Sequence, residues 1–214
     1  MLSKEEIKAK AEEIFKEHGL TIPFSVSSLA TALNIEIELS TDVQIYNIVK
    51  EREANKLKDN EKEQILGYYN RNENRFYIND TDQSMTRQRF TIAHEIGHHV
   101  LHLNYPDNNL RKVILKRDLL TFIPADNLDV KFIPIVEENI EKEANEFAAY
   151  LLAPDIEIKK RLPLIELWLG GETFIRGIAN LFGVSLEMMR IRLKTFKSEN
   201  PDEWIKFDLK SKLF

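Results

Sequence analysis

The sequence predicts an α+β fold, mainly helical with a small antiparallel sheet. Three observations carry that expectation. Apolar residues recur at helical spacing over most of the chain, whereas the stretch ILGYYNRNENRFYIND offers two strand-like runs broken by an Asn-rich turn. In addition, the two stretches richest in chemically active side chains are both helical in period, one around residues 87–103 and one from Ile140 to about Ala153.

Each element follows from local chemistry. Ser3 with Glu6 three residues on is a capping-box pattern, Ile7, Ala11, Ile14 and Phe15 give a helical stripe, and Gly19 ends it, so a helix is expected over residues 3–18. After Pro23, SVSSLATALN predicts a short helix capped by Ser25 or Ser27, and IEIEL (Ile35 to Leu39) alternates as a strand does. Lys50 to Gln64 is almost wholly polar and reads as a solvated helix edge or a mobile loop. Ile65 to Tyr69 and Arg75 to Asn79 then form a hairpin, and residues 104–139, with Pro106, Pro124 and Pro134, are an excursion between the two helical motifs. The second motif stops at Pro154, and two more helices between Thr173 and Phe196 hinge at Gly183.

Composition narrows the chemistry. The chain has 214 residues, 43% of them hydrophobic, enough for one substantial core. It has no cysteine, so disulfides and thiolate metal sites are excluded and any metal must sit on His, Asp or Glu. A net charge of −5 offers no general attraction to nucleic acid. The opening MLSKEEIKAKAEEIF is charged, and no long apolar run follows, so a soluble cytoplasmic protein without membrane contact is expected.

RQRFTIAHEIGHHVLH, from Arg87 to His102, holds four of the five histidines. At ~100° per residue, Phe90, Ala93, Ile96, Gly97, Val100 and Leu103 share one sector, and His94, Glu95, His98, His99 and His102 the opposite one. His94 and His98 lie one turn apart, the spacing at which two imidazoles share one Zn²⁺, and Glu95 is rotated aside, as suits a general base acting on water. A catalytic zinc wants a third protein ligand. The HExxHxxGxxH pattern is excluded, because Leu101 and Asn104 stand at its Gly and His positions. A glutamate from a second helix remains, and two near-identical strings compete: Glu51 to Asn55 (EREAN) and Glu141 to Asn145 (EKEAN). Only the second continues into an apolar stripe, Ile140, Ala144, Phe147, Ala148 and Leu151, able to hold a ligand rigidly. Glu141 is therefore the expected ligand, with Asn145 one turn on to orient an imidazole. Glu143, about 200° round the helix from Glu141, and Glu146 read as solvated charges.

A hydrolytic site of this kind needs an oxyanion donor besides the metal, and His99, His102, Tyr68 and Tyr69 are candidates. For His102 a structural role at the helix end stands beside a catalytic one. The strand RFYIN is a candidate edge on which an extended substrate could add as a further strand.

With these residues in hand, the sequence resembles the ImmA/IrrE family of zinc metallopeptidases. The resemblance rests on RQRFTIAHEIGHHVLH and IEKEANEFAAYLLAP in this order, preceded by GYYNRNENRFYIND and followed by IANLFGVSLEMMRIRLK. It implies a zincin-like, gluzincin-type domain over residues 1–170, with a helical, helix-turn-helix-like segment over 171–214. It also implies one zinc per chain on His94, His98 and Glu141, with Glu95 as base. The implied substrate is a protein, a helix-turn-helix repressor whose loss releases mobile-element, phage or stress genes. Two rivals are kept: an anti-repressor that binds without cutting, and a DNA-binding regulator with a structural or sensory zinc. Arg190, Arg192, Lys194 and Lys197 prompt the second, although the apolar Leu181, Phe182, Met188, Met189 and Ile191 argue against direct DNA binding.

Overall fold

The computed structural model describes residues 1–52, 65–70, 73–81, 84–102, 113–115, 135–166 and 171–204. Its helices are α1 (Lys4–Glu17), α2 (Val26–Ala32), α3 (Asp42–Arg52), α4 (Met85–His102), α5 (Ile135–Leu152), α6 (Asp155–Glu166), α7 (Gly171–Phe182) and α8 (Leu186–Glu199). The strands are β1 (Glu36–Ser40), β2 (Ile65–Asn70), β3 (Arg75–Asn79) and β4 (Val113–Leu115). The expected excursion over 104–139 and the polar run after Arg52 lie mostly outside the described residues. No described helix is long and apolar enough to cross a membrane.

Contacts group the chain into two compact units, residues 1–7 with 25–148, and residues 8–24 with 149–214. This grouping differs from a boundary at 170, which divides the chain by motif.

In the first unit the sheet order is β1-β3-β2-β4, and the hairpin β2–β3 is antiparallel as its Asn-rich turn requires. Asn74 takes the positive φ of 49° in that turn. The sheet is mixed, not purely antiparallel: β3 inserts between β2 and β1 and pairs with β1 in parallel, Ile37 opposite Phe76. Arg75 bonds Glu36 at 3.0 Å and Glu38 at 3.2 Å across that pairing. Because both sides of β3 are occupied, the suggested substrate edge at Arg75–Asn79 does not exist; the outer strands are β1 and β4.

Strand alternation sends neighbouring tyrosines to opposite faces. Tyr68 stacks on Tyr77, ring centroids 6.0 Å apart, and clusters with Ile45 and Val49 of α3. Tyr69 meets Phe76 edge to face and points to α4, its hydroxyl 3.3 Å from His99 Nδ1. Helix α3 was not foreseen, although Ile45 and Val49, one turn apart and fully buried, stand with the partly buried Tyr46 and Ile48 in a short apolar stripe at helical spacing.

In the second unit, Phe15 and Phe24 pack edge to face, and Gly183, at φ 63°, separates α7 from α8. Ser185 caps α8 by accepting from the Met188 N–H. Arg192 is buried; its Nε donates to Ala153 O at 2.9 Å, its guanidinium lies over Tyr150, and it pairs with Asp155. Asp155 also pairs with Lys8 and accepts from Asn200 Nδ2. Burial opposes the Asp155 charge, but Arg192, Lys8 and Asn200 outweigh it and hold the carboxyl below its ordinary value. Removing one partner of such a pair strands the other, so Asp155→Asn should cost about 3 kcal/mol by denaturant titration. The contribution is complete above the unfolded carboxyl value near 3.8 and fades as pH falls through the lower folded value. The variant should therefore lose part of the wild type's acid sensitivity, and an unchanged acid limb would contradict this assignment.

Candidate metal centre

Helix α4 is buried well beyond its apolar sector. Every residue from Thr91 to His98 is buried, and so is His102, so most of the polar sector read from the sequence is enclosed as well, whereas His99 is half-buried. Helices α4 and α5 meet at Gly97: a Cβ there would stand 3.1 Å from Ala144 O, 3.1 Å from Phe147 Cδ1 and 3.2 Å from Ala144 Cα. The close approach is thus made at Ala144.

That crossing brings Glu141 against both imidazoles. His94 Nε2 lies 3.2 Å from Glu141 Oε2, His98 Nε2 lies 3.3 Å from Glu141 Oε1, and the two Nε2 atoms are 3.0 Å apart. Ligand atoms bound tetrahedrally at 2.0–2.1 Å from one zinc would stand about 3.3 Å from each other. The three side chains thus could hold a metal ion together.

Ring orientation supports the same conclusion. His94 Nδ1 is 2.8 Å from Asn145 Oδ1, which accepts its hydrogen and turns Nε2 toward the centre. His98 Nδ1 is 3.1 Å from His102 Nδ1, and His102 Nε2 is 2.9 Å from Glu143 Oε2. Glu143 Oε1 accepts from the Leu2 N–H at 2.9 Å.

The electrostatics call for positive charge at the centre. Burial opposes a charged His94, but the hydrogen bond and charge of Glu141, with Glu95 and Asn145 adding, raise it to about 9. Burial likewise opposes the Glu141 anion, and His98 and His94 overcome it, holding the carboxyl far below the usual range. For His102, burial and the His98 charge outweigh Glu143 and push the imidazole down to about 4, so it is neutral near pH 7.

Glu95 sits beside this cluster and outside its hydrogen bonds. It is 2% exposed, its Oε1 is 3.9 Å from His94 Nε2, and that oxygen has no hydrogen-bond partner among the described residues. Burial pushes the Glu95 carboxyl up, against the opposing pull of His98 and His94.

Other sequence expectations change. Glu143 is buried, not solvated, because α5 is enclosed and a side chain off its ligand face still meets protein, here His102. Glu146 is half-buried. A signal for Glu143 was present in the sequence: His94, His98 and His102, each four residues from the next, form one stripe, and the third imidazole needs its own partner. Tyr68 lies on the sheet face that packs α3, away from α4, so it is no oxyanion donor. The Tyr69 hydroxyl donates to Asn74 Oδ1 at 2.8 Å beside His99, which ties the hairpin turn to α4.

Because two of the three contacts around Gly97 are backbone atoms, side-chain rotation cannot relieve an added methyl. Gly97→Ala should gain about 1 kcal/mol of helix propensity and lose about 1–3 kcal/mol to overpacking. Net destabilisation with weaker metal retention is expected, measured by thermal melting and chelator competition; a stabilised variant with unchanged retention would refute the close crossing.

Residues 56–194, well over half of the chain, match the family described as the IrrE N-terminal-like domain, peptidase family M78. No curated protein matches the chain. Among solved structures, a Mycobacterium tuberculosis transcriptional regulator aligns with a TM-score of 0.53 at 15% identity, over 88% of this chain and 46% of its own. The chain thus spans less than half the length of that protein, and at this identity the likeness is one of fold. Since the hairpin, α4 and α5 all fall within the matched residues, the chain belongs to the IrrE N-terminal-like family of M78 peptidases.

Proposed function

We propose that this protein is a cytoplasmic zinc metallopeptidase that hydrolyses peptide bonds. The observation that carries the reading is the convergence of His94, His98 and Glu141 beside a buried, unpartnered Glu95 oxygen. A zinc ion on those three side chains would supply Lewis acidity, polarising a peptide carbonyl and acidifying water.

The chain's own groups then have separable tasks. Asn145 and His102 keep the two imidazoles turned with Nε2 inward. Glu95, its carboxyl raised by burial and its Oε1 without a hydrogen-bond partner among the described residues, is suited to accept the proton of an attacking water and pass it to the leaving amine. The peptidase domain is assigned to residues 1–170, with residues 171–214 as an accompanying helical segment. The substrate class favoured by the family resemblance is a helix-turn-helix repressor, whose cleavage would relieve repression of mobile-element, phage or stress genes. Direct DNA reading draws less support, because Arg192 is buried on Asp155 and Arg190 is paired with Glu172 and Glu187.

Metal analysis should find about one zinc per chain, and His94→Ala or Glu141→Ala should lose it. Glu95→Gln should keep the zinc while cleavage of a repressor substrate, followed as fragments by mass spectrometry, falls by about 10²–10⁴. Full activity in Glu95→Gln would exclude it as the base. A wild type that binds the repressor and leaves it whole would favour sequestration.

A further inference from the structure

We propose that His102 and Glu143 are positioning residues for His98, and that the hydrogen-bonded chain running from the Leu2 amide through them sets how tightly the metal is held. The proposal rests on the metal-centre reading and deepens it.

The argument is one of donors and acceptors. Both Glu143 oxygens are engaged, Oε1 by the Leu2 N–H and Oε2 by His102 Nε2, each at 2.9 Å. A carboxylate offers only acceptors, so His102 must carry its hydrogen on Nε2. A neutral imidazole carries one N–H, so its Nδ1 is then bare of hydrogen, and it faces His98 Nδ1 at 3.1 Å. Two bare nitrogens cannot share that contact favourably, so His98 donates from Nδ1. Its Nε2 is left with a lone pair, 3.3 Å from Glu141 and 3.0 Å from His94 Nε2. The reverse polarity would set a bare His102 nitrogen directly against the Glu143 anion at 2.9 Å, whereas the bare His98 Nε2 and Glu141 face a centre that could hold a metal ion between them. Glu143 thus decides the direction of every link, and the wrong tautomer of His98, with hydrogen on Nε2, is suppressed. All three side chains are buried, so water does not compete for these bonds. His94 receives the same service from Asn145 in a single step.

Outer partners of metal-bound imidazoles typically carry about 10–100-fold in metal affinity. Zinc affinity by chelator competition and the visible spectrum of the cobalt-loaded protein read the effect without any peptidase assay. His102→Phe, which keeps ring bulk and removes both nitrogens, should lose about 10–100-fold and alter the cobalt spectrum. His102→Asn, whose Oδ1 falls near the place of Nδ1 and can accept from His98, should recover most of that loss. Glu143→Gln, an amide that fixes neither polarity, should fall between them. If His102→Phe does not fold, the other two variants carry the test. Folded variants that bind zinc as the wild type does, with an unaltered cobalt spectrum, would overturn the relay while the His94–His98–Glu141 centre stands. A wild type that takes up neither zinc nor cobalt would overturn both.

Discussion

Glu141 reaches two imidazoles because α4 and α5 cross almost backbone to backbone at Gly97 and Ala144. The offsets on the two helices match: His94 and His98 lie three before and one after Gly97, and Glu141 and Asn145 lie three before and one after Ala144. On a helix those offsets lie about 60° and about 100° round from the contact residue, both on the same side of it, so each pair edges the crossing one turn apart. A crossing of two small residues therefore places four functional side chains around itself at once. Any separation of the helices would lengthen the contacts of Glu141 and Asn145 together, so packing at the crossing and geometry at the centre are one quantity.

Enclosing so many polar groups is costly unless each finds a partner. Here the partners are arranged in sets: Asn145 on His94, Glu141 on both Nε2 atoms, His102 and then Glu143 on His98. Against that background the unpartnered Glu95 oxygen stands out, since buried polar atoms in folded proteins are nearly always satisfied. An oxygen to which no described neighbour gives a hydrogen stays open to an incoming molecule.

Much of this was legible in the sequence because the decisive signals were local. HEIGH on an amphipathic helix, the Ser3–Glu6 box, which closes at 2.7 and 3.2 Å, and the apolar continuation of EKEAN each depend on residues within a few turns. What escaped depended on neighbours distant in sequence. α3 is anchored by Ile45 and Val49, with Tyr46 and Ile48 beside them, against Tyr68 and Tyr77 of the hairpin, a stripe little more than one turn long that gains its hold from a partner distant in sequence. α6 carries a charged KKR run and Pro163 within its span, which mask its period. Glu143 passed for a surface charge because a helical wheel ranks faces relative to one another and does not say how many of them are covered. The strand order was likewise invisible: alternation identifies β3 as a strand but does not tell a central strand from an edge.

The C-terminal helix pair shows why a motif and its function part company. Gly183 at φ 63° and the Ser185 cap produce the tight turn that resembles a DNA-binding helix pair, yet any helical hairpin can use the same chemistry. A recognition helix must in addition present free cations to phosphate and base edges. In α8 the most central candidate, Arg192, points inward to Ala153 and Asp155, and Arg190 pairs at the surface with Glu172 and Glu187, which leaves Lys194 and Lys197 as the exposed cations of the four. Backbone signals specified the turn, whereas the destinations of the side chains turned the helix into part of a buried ionic lock.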